Sequence, residues 1–261
     1  MTTVDELVRF DRRGDVGEIA LCRPPLNLLG SDFLPQMRQA VTRARSSGVR
    51  AVLLRSDVEH FSAGADVASF RGRTPDEAIA WVRQVVGLFG EIEALPVPSV
   101  AAVHGYCLGG GLELALTCDL ICAADSAALG LVESRIGGIP FAGGMQRVSA
   151  KAGTSRALEM TYSGAVYDAE TLAGWGIVNR VVAADDLLPR ARELADELAS
   201  GATIAHAAAK RILLAWNEGG SAAAARATID EGARVMASED LQNAIESFFA
   251  AAFMPAMPTP L

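Results

Sequence analysis

Apolar and polar positions repeat with two different periods along this chain, and the balance between them changes near residue 187. Leu7 to Phe10 alternates, Arg13-Gly14-Asp15 is a turn signal, and Gly17 to Cys22 resumes a strand, which predicts a β-hairpin. Pro24-Pro25 ends it. Ser31-Asp32 then marks a helix start, with Phe33, Leu34, Met37 and Val41 at helical spacing. Val49 to Leu54 and Ser99 to Val103 read as short buried strands, with a helix between them over Pro75 to Glu93 that stops before Pro96. Phe61 to Val67 reads as a loop around Gly64. Leu120 to Ala123 and Ala127 to Leu131 are again short strands. Short strands alternating with helices point to α/β layers.

Beyond Leu187 the strand signal disappears. Leu187 to Leu198, Ile204 to Trp216, Ala222 to Met236 and Leu241 to Phe249 all carry helical patterning, punctuated at Ser200-Gly201, Gly219-Gly220 and Ser238. The expected organisation is therefore a core over residues 1–186 that carries the site, followed by a helical region over 187–261.

Composition narrows the function classes. A hydrophobic content of 51% with 21% charged residues supports a globular core. No apolar run approaches the ~18 residues of a membrane span. The start Met1-Thr2-Thr3-Val4-Asp5-Glu6 lacks the basic, then apolar, pattern of a secretory leader, so a cytoplasmic protein is expected. The net charge of −8 disfavours nucleic acid as a partner. Cys22, Cys107, Cys118 and Cys122 show no CxxC spacing, and His60, His104 and His206 are scattered, so free thiols and no metal site are expected.

The candidate chemistry lies in two glutamates. Glu113 follows the run Gly109-Gly110-Gly111, and Glu133 precedes a second glycine-rich stretch. Paired carboxylates can take and give protons. Glycines let another molecule approach the backbone N–H groups closely, which suits a polarised carbonyl. Ser62-Ala63-Gly64-Ala65-Asp66 is a second small-residue turn of this kind. Taken singly, each feature has a plainer reading: a tight turn, a first-turn acid at Glu113, or a surface partner of Arg135 at Glu133.

In combination the motifs are specific. His60-Phe61-Ser62-Ala63-Gly64-Ala65-Asp66 and the run from Ala101 through Gly109-Gly110-Gly111-Leu112-Glu113 resemble the two signature segments of the enoyl-CoA hydratase/isomerase (crotonase) superfamily. The resemblance continues through Gly137-Gly138-Ile139-Pro140, Ala142-Gly143-Gly144 and Gly174-Trp175-Gly176-Ile177-Val178, and spans roughly residues 5 to 235. It implies a crotonase-like α/β spiral of ββα turns with a C-terminal helical trimerisation region, hence a homotrimer or a hexamer. It implies an acyl-CoA substrate, with coenzyme A as part of the substrate and no separate cofactor. By position, the N–H groups of Ala65 and Gly110 would form the oxyanion hole, and Ala63, Asp66, Leu26, Tyr106 and Phe141 would border the substrate. Glutamate at both Glu113 and Glu133 matches the hydratases, which add water to a 2-enoyl-CoA to give a 3-hydroxyacyl-CoA. On that reading Glu113 takes a proton from water and Glu133 delivers one to the α-carbon. A Δ3-Δ2 enoyl-CoA isomerase using Glu133, or a non-catalytic acyl-CoA-binding protein, are the alternatives. Phe141 replaces the glycine usual after Ile-Pro in this family, and a narrower or reshaped pocket is expected from it.

Overall fold

The structure, a computed structural model, describes residues 6–253, with side chains through residue 249. The N-terminal reading at residues 1–5 therefore lies outside the described residues. Contacts divide the chain into two compact units, Met1–Ser200 and Gly201–Leu261.

In the first unit the hairpin forms from β1 (Val8–Arg13) and β2 (Val16–Leu21), and α1 (Phe33–Ser46) buries Phe33, Leu34, Met37, Ala40, Val41 and Ala44. Next come β3 (Ala51–Ser56) and a 3-10 turn over Val67–Phe70. They are followed by α2 (Pro75–Glu93) and β4 (Ser99–Val103). The start of α2 is fixed by a capping box: Thr74 accepts from the Glu77 N–H, and Glu77 accepts from the Thr74 N–H. The chain continues through β5 (Tyr106–Leu108), α3 (Gly110–Ala115), β6 (Leu120–Ala124) and β7 (Ala128–Gly130). Then follow α4 (Gly144–Ala152), α5 (Thr154–Ser163), β8 (Tyr167–Asp168), α6 (Ala169–Gly174), β9 (Arg180–Val182) and α7 (Leu187–Ser200).

One sheet has the order β1-β2-β3-β4-β6-β9, antiparallel only at the hairpin, and the second has the order β5-β7-β8. Parallel strands covered on both faces carry near-continuous apolar runs, as in β4, where all five residues are buried. The helix α7 packs on β3, β4 and β6, so the first unit extends past residue 187 to Ser200. An ion cluster fastens it: buried Glu18 on β2 accepts from Arg55 on β3, from Arg13 on β1 and from Arg192 on α7.

The second unit contains α8 (Thr203–Met236) and α9 (Glu239–Phe253). The glycine pair that punctuates the sequence breaks α8, with Gly219 at φ −143° and Gly220 at φ 64°. Arg211 before the break donates two hydrogen bonds to Glu231 after it, at 2.7 and 2.5 Å. No helix among the described residues is long and apolar enough to cross a membrane.

Candidate active site

Two backbone segments lie side by side because residues 61–65 run along β5. The Phe61 N–H donates to His104 O, Ser62 N–H to Tyr106 O, and Leu108 N–H to Ser62 O, at 2.9 to 3.0 Å. Two glycines make the close approach possible. Gly64 sits at φ +95°, and a Cβ there would fall 2.7 Å from Leu108 O and 3.2 Å from Gly110 N. Gly109, at φ +52°, leaves room for Glu133: a Cβ on it would lie 3.1 Å from Glu133 Oε1. The result sets the N–H groups of Ala65 and Gly110 on neighbouring backbone, since a Cβ on Gly110 would be 3.5 Å from Ala65 N. Among the described residues neither N–H has a protein acceptor within hydrogen-bond range.

Both segments line a cavity of about 390 Å³ that also takes in Glu113, Glu133, Ala63, Phe141 and a set of apolar side chains from α1 and α2. Glu113 is 3% exposed. Its Oε1 accepts from the N–H groups of Ala142 and Gly144, each at 2.8 Å. Burial pushes its carboxyl above the ordinary value, opposed by the N–H groups of Gly144 and Ala142 and by the charge of Arg147. Arg147 holds the same turn from behind, donating to Ala142 O at 2.5 Å and to Glu93 at 2.7 Å.

Glu133 opens a 3-10 turn over Glu133–Ile136. Burial raises its carboxyl to about 7; a bond from its own backbone opposes the shift and the charge of Glu113 adds to it. Its Oε2 is buried without a hydrogen-bond partner. An unpaired buried carboxylate oxygen is costly when charged, so the neutral acid is favoured. The site thus holds one carboxylate anchored by N–H donors and one poised to exchange a proton near neutral pH, an arrangement suited to paired acid–base chemistry.

The other sequence-derived residues take distinct places. Leu26 accepts the Ala63 N–H through its carbonyl at 2.9 Å and so supports the donor segment from behind. Its loop is pinned by buried Asn27, whose side chain donates to His60 O and Phe61 O. Asp66 caps the 3-10 turn after Ala65, accepting from Ala68 N–H. Tyr106 is 46% exposed and stacks on His60 at 4.4 Å between ring centroids. Leu26, Asp66 and Tyr106 do not line the cavity. Phe141 does, and it meets Phe70 and Trp81, two cavity residues that the sequence reading did not select. Trp81 stands between Ala80 and Val82 in an apolar stretch and Phe70 between Ser69 and Arg71, so neither stands out in the sequence as a site residue. Among the described residues no group of three or more His, Cys, Asp or Glu side chains is placed to hold a metal ion.

Comparison with known proteins identifies the family of this chain. Residues 11–251 match the family model described as enoyl-CoA hydratase/isomerase. A Mycobacterium bovis protein named a probable enoyl-CoA hydratase is 37% identical over 217 residues, covering 81% of this chain and 83% of the relative. The carnitinyl-CoA dehydratase of Proteus mirabilis is 36% identical over 238 residues, covering 90% and 87%. The crystal structure of an enoyl-CoA hydratase from Bacillus anthracis superposes with a TM-score of 0.87 at 30% identity, covering 94% of this chain and 96% of the other. With its α/β core, its helical C-terminal region and a match along nearly its whole length, the chain belongs to the enoyl-CoA hydratase/isomerase family.

Proposed function

We propose that this protein is an enoyl-CoA hydratase that adds water across the 2,3 double bond of a 2-enoyl-CoA thioester to give a 3-hydroxyacyl-CoA. The observation that carries the reading is that two carboxylates of different character share one cavity with two uncommitted N–H donors. Conjugation makes the β-carbon electrophilic, and attack by water moves negative charge onto the thioester oxygen. The N–H groups of Ala65 and Gly110 meet that oxygen, where each donor of such a pair contributes about 2.7–4 kcal/mol to transition-state stabilisation. Glu113, with Oε1 held by two N–H groups, orients water and takes its proton through the remaining oxygen. Glu133, raised to about 7, supplies the proton to the α-carbon. Coenzyme A enters as part of the substrate and no further cofactor takes part. The working form is a homotrimer or hexamer in the cytoplasm.

Mixing the protein with crotonyl-CoA tests this. The absorbance of the conjugated thioester falls and 3-hydroxybutyryl-CoA appears. The partner-free Oε2 of Glu133 also suits a shuttling base. An isomerase would bring a 3-enoyl-CoA into conjugation and leave 2-enoyl substrates unhydrated. Acyl-CoA binding with no turnover of either substrate would support a carrier instead.

A further inference from the structure

Phe70, Trp81 and Phe141 come from three separate segments: the 3-10 turn after Ala65, helix α2, and the turn that holds Glu113. Their rings touch pairwise, with centroids 4.9 Å apart for Phe70–Trp81, 6.2 Å for Phe70–Phe141 and 6.1 Å for Trp81–Phe141, all edge-to-face. Those separations lie within the ~4.5–7 Å of rings in contact. Three rings in mutual edge-to-face contact form one continuous cluster, and an alkyl chain passes between them only by parting them.

Trp81 is also a partition. It lines the cavity and, in addition, a shallow surface depression shared with Arg73, Glu77 and Gln84, none of which lines the cavity. The guanidinium of Arg73 lies 5.3 Å from the centre of the indole. The indole Nε1 is buried with no hydrogen-bond partner, so this edge is packed away from solvent. The cavity it helps to close, about 390 Å³, is near the lower end of the ~300–1,000 Å³ of small-molecule sites.

We propose that the Phe70–Trp81–Phe141 cluster closes the acyl end of the cavity, so that compact acyl thioesters are the substrates and long alkyl chains are excluded. The proposal rests on reading the cavity as an acyl thioester site. Phe141 takes part in two of the three ring contacts, so its removal leaves only Phe70 against Trp81. Removal of Trp81 opens the cavity towards the depression outside it.

Calorimetric binding of saturated acyl-CoA thioesters, from butyryl to dodecanoyl, to the full chain tests this without any turnover. Each methylene that finds an apolar site tightens binding by roughly fourfold. In the wild type that gain stops among the short members of the series. In Phe141→Ala and in Trp81→Ala it continues, and dodecanoyl-CoA binds at least tenfold tighter than to the wild type. Two variants are used because Phe141 adjoins the Ala142 N–H that holds Glu113, whereas Trp81 does not. Steady tightening through dodecanoyl-CoA in the wild type overturns the proposal. So do unchanged profiles in both variants. Failure of the hydratase reading shows separately, as no turnover of crotonyl-CoA by a preparation that still binds saturated thioesters. Absence of all acyl-CoA binding overturns both.

Discussion

Glu113 holds a turn as well as a proton, and two substitutions separate these roles. Its Oε1 is the acceptor for the N–H groups of Ala142 and Gly144 at 2.8 Å each. In Glu113→Ala both donors lose their acceptor inside the protein. A buried donor left unsatisfied costs about 1–3 kcal/mol, so the pair costs about 2–6 kcal/mol, with water from the cavity drawing the value towards the lower end. In Glu113→Gln the amide oxygen occupies the place of Oε1 and accepts both bonds. The charge is lost as well, and this has a definite sign. Burial raises the folded-state carboxyl above its ordinary value, so the folded protein binds the extra proton. Wild-type stability therefore falls as pH rises from the ordinary carboxyl range through the raised value. The glutamine variant lacks that loss and is at least as stable as wild type at pH 8. Thermal unfolding reads this at about 2–4 °C per kcal/mol for a chain of this order of length. The alanine variant melts well below wild type and the glutamine variant does not. Hydration of crotonyl-CoA falls in both by about 10²–10⁴, the usual contribution of a positioned acid or base. Equal melting of the two variants, or a wild-type rate in Glu113→Gln, would refute the reasoning.

Three further outcomes are expected. With Glu133 raised to about 7 and acting as the acid, kcat/KM of the wild type falls as pH rises through that value, and Glu133→Gln removes this limb along with most of the rate; a flat wild-type profile from about pH 6 to 8 counts against it. Gly64→Ala places a Cβ 2.7 Å from Leu108 O in a backbone at φ +95°, which displaces the paired donors and lowers kcat by about 10²–10³ while circular dichroism stays unchanged; a wild-type rate would remove Ala65 and Gly110 from the mechanism. Glu18→Ala leaves Arg55 with a smaller share of its counter-charge and costs about 3 kcal/mol in denaturant unfolding at neutral pH. Burial would raise the Glu18 carboxyl, but bonds from Arg192, Arg55 and Arg13 hold it at about 2. Its stabilisation is therefore complete above the ordinary value of 4.5 and is lost as pH falls towards 2, so the gap between wild type and Glu18→Gln closes over that window.

The parts of the molecule set by local pattern were legible in the sequence. The hairpin, α1, α2 and the buried strands follow from periodicity and turn residues, and the break in α8 falls at the glycine pair that announces it. The glutamates were legible because glycines mark the turns that carry them. What escaped was short or assembled from afar. Strand β9 has three residues, too few to show a period, and it exists because β6 offers it an edge. Helices α4, α5 and α6 are 9, 10 and 6 residues long and lie in a stretch crowded with glycines, where no periodic segment stands out. The helical pattern from Leu187 onward points to a separate helical region, whereas α7 packs against four strands distant in sequence, β2, β3, β4 and β6. Likewise, nothing in the sequence brings Phe70 and Trp81 to Phe141. Only the fold does.

The turn over residues 141–144 has a consequence for how this protein can change. Phe141 walls the cavity, and the next residue supplies an N–H to Glu113. Arg147 ties the turn to Glu93, at the end of the same helix that presents Trp81. On the proposed function, substrate range and reactivity thus share a single short piece of backbone. A lineage that widens its diet by shrinking Phe141 shifts the support of its own base in the same step. Adaptation to bulkier thioesters should then begin at Trp81, or arrive at Phe141 together with compensating changes at Glu93 or Arg147. Selection for bulkier substrates in the laboratory would reveal which route is open, since independent lines should accumulate changes in that order.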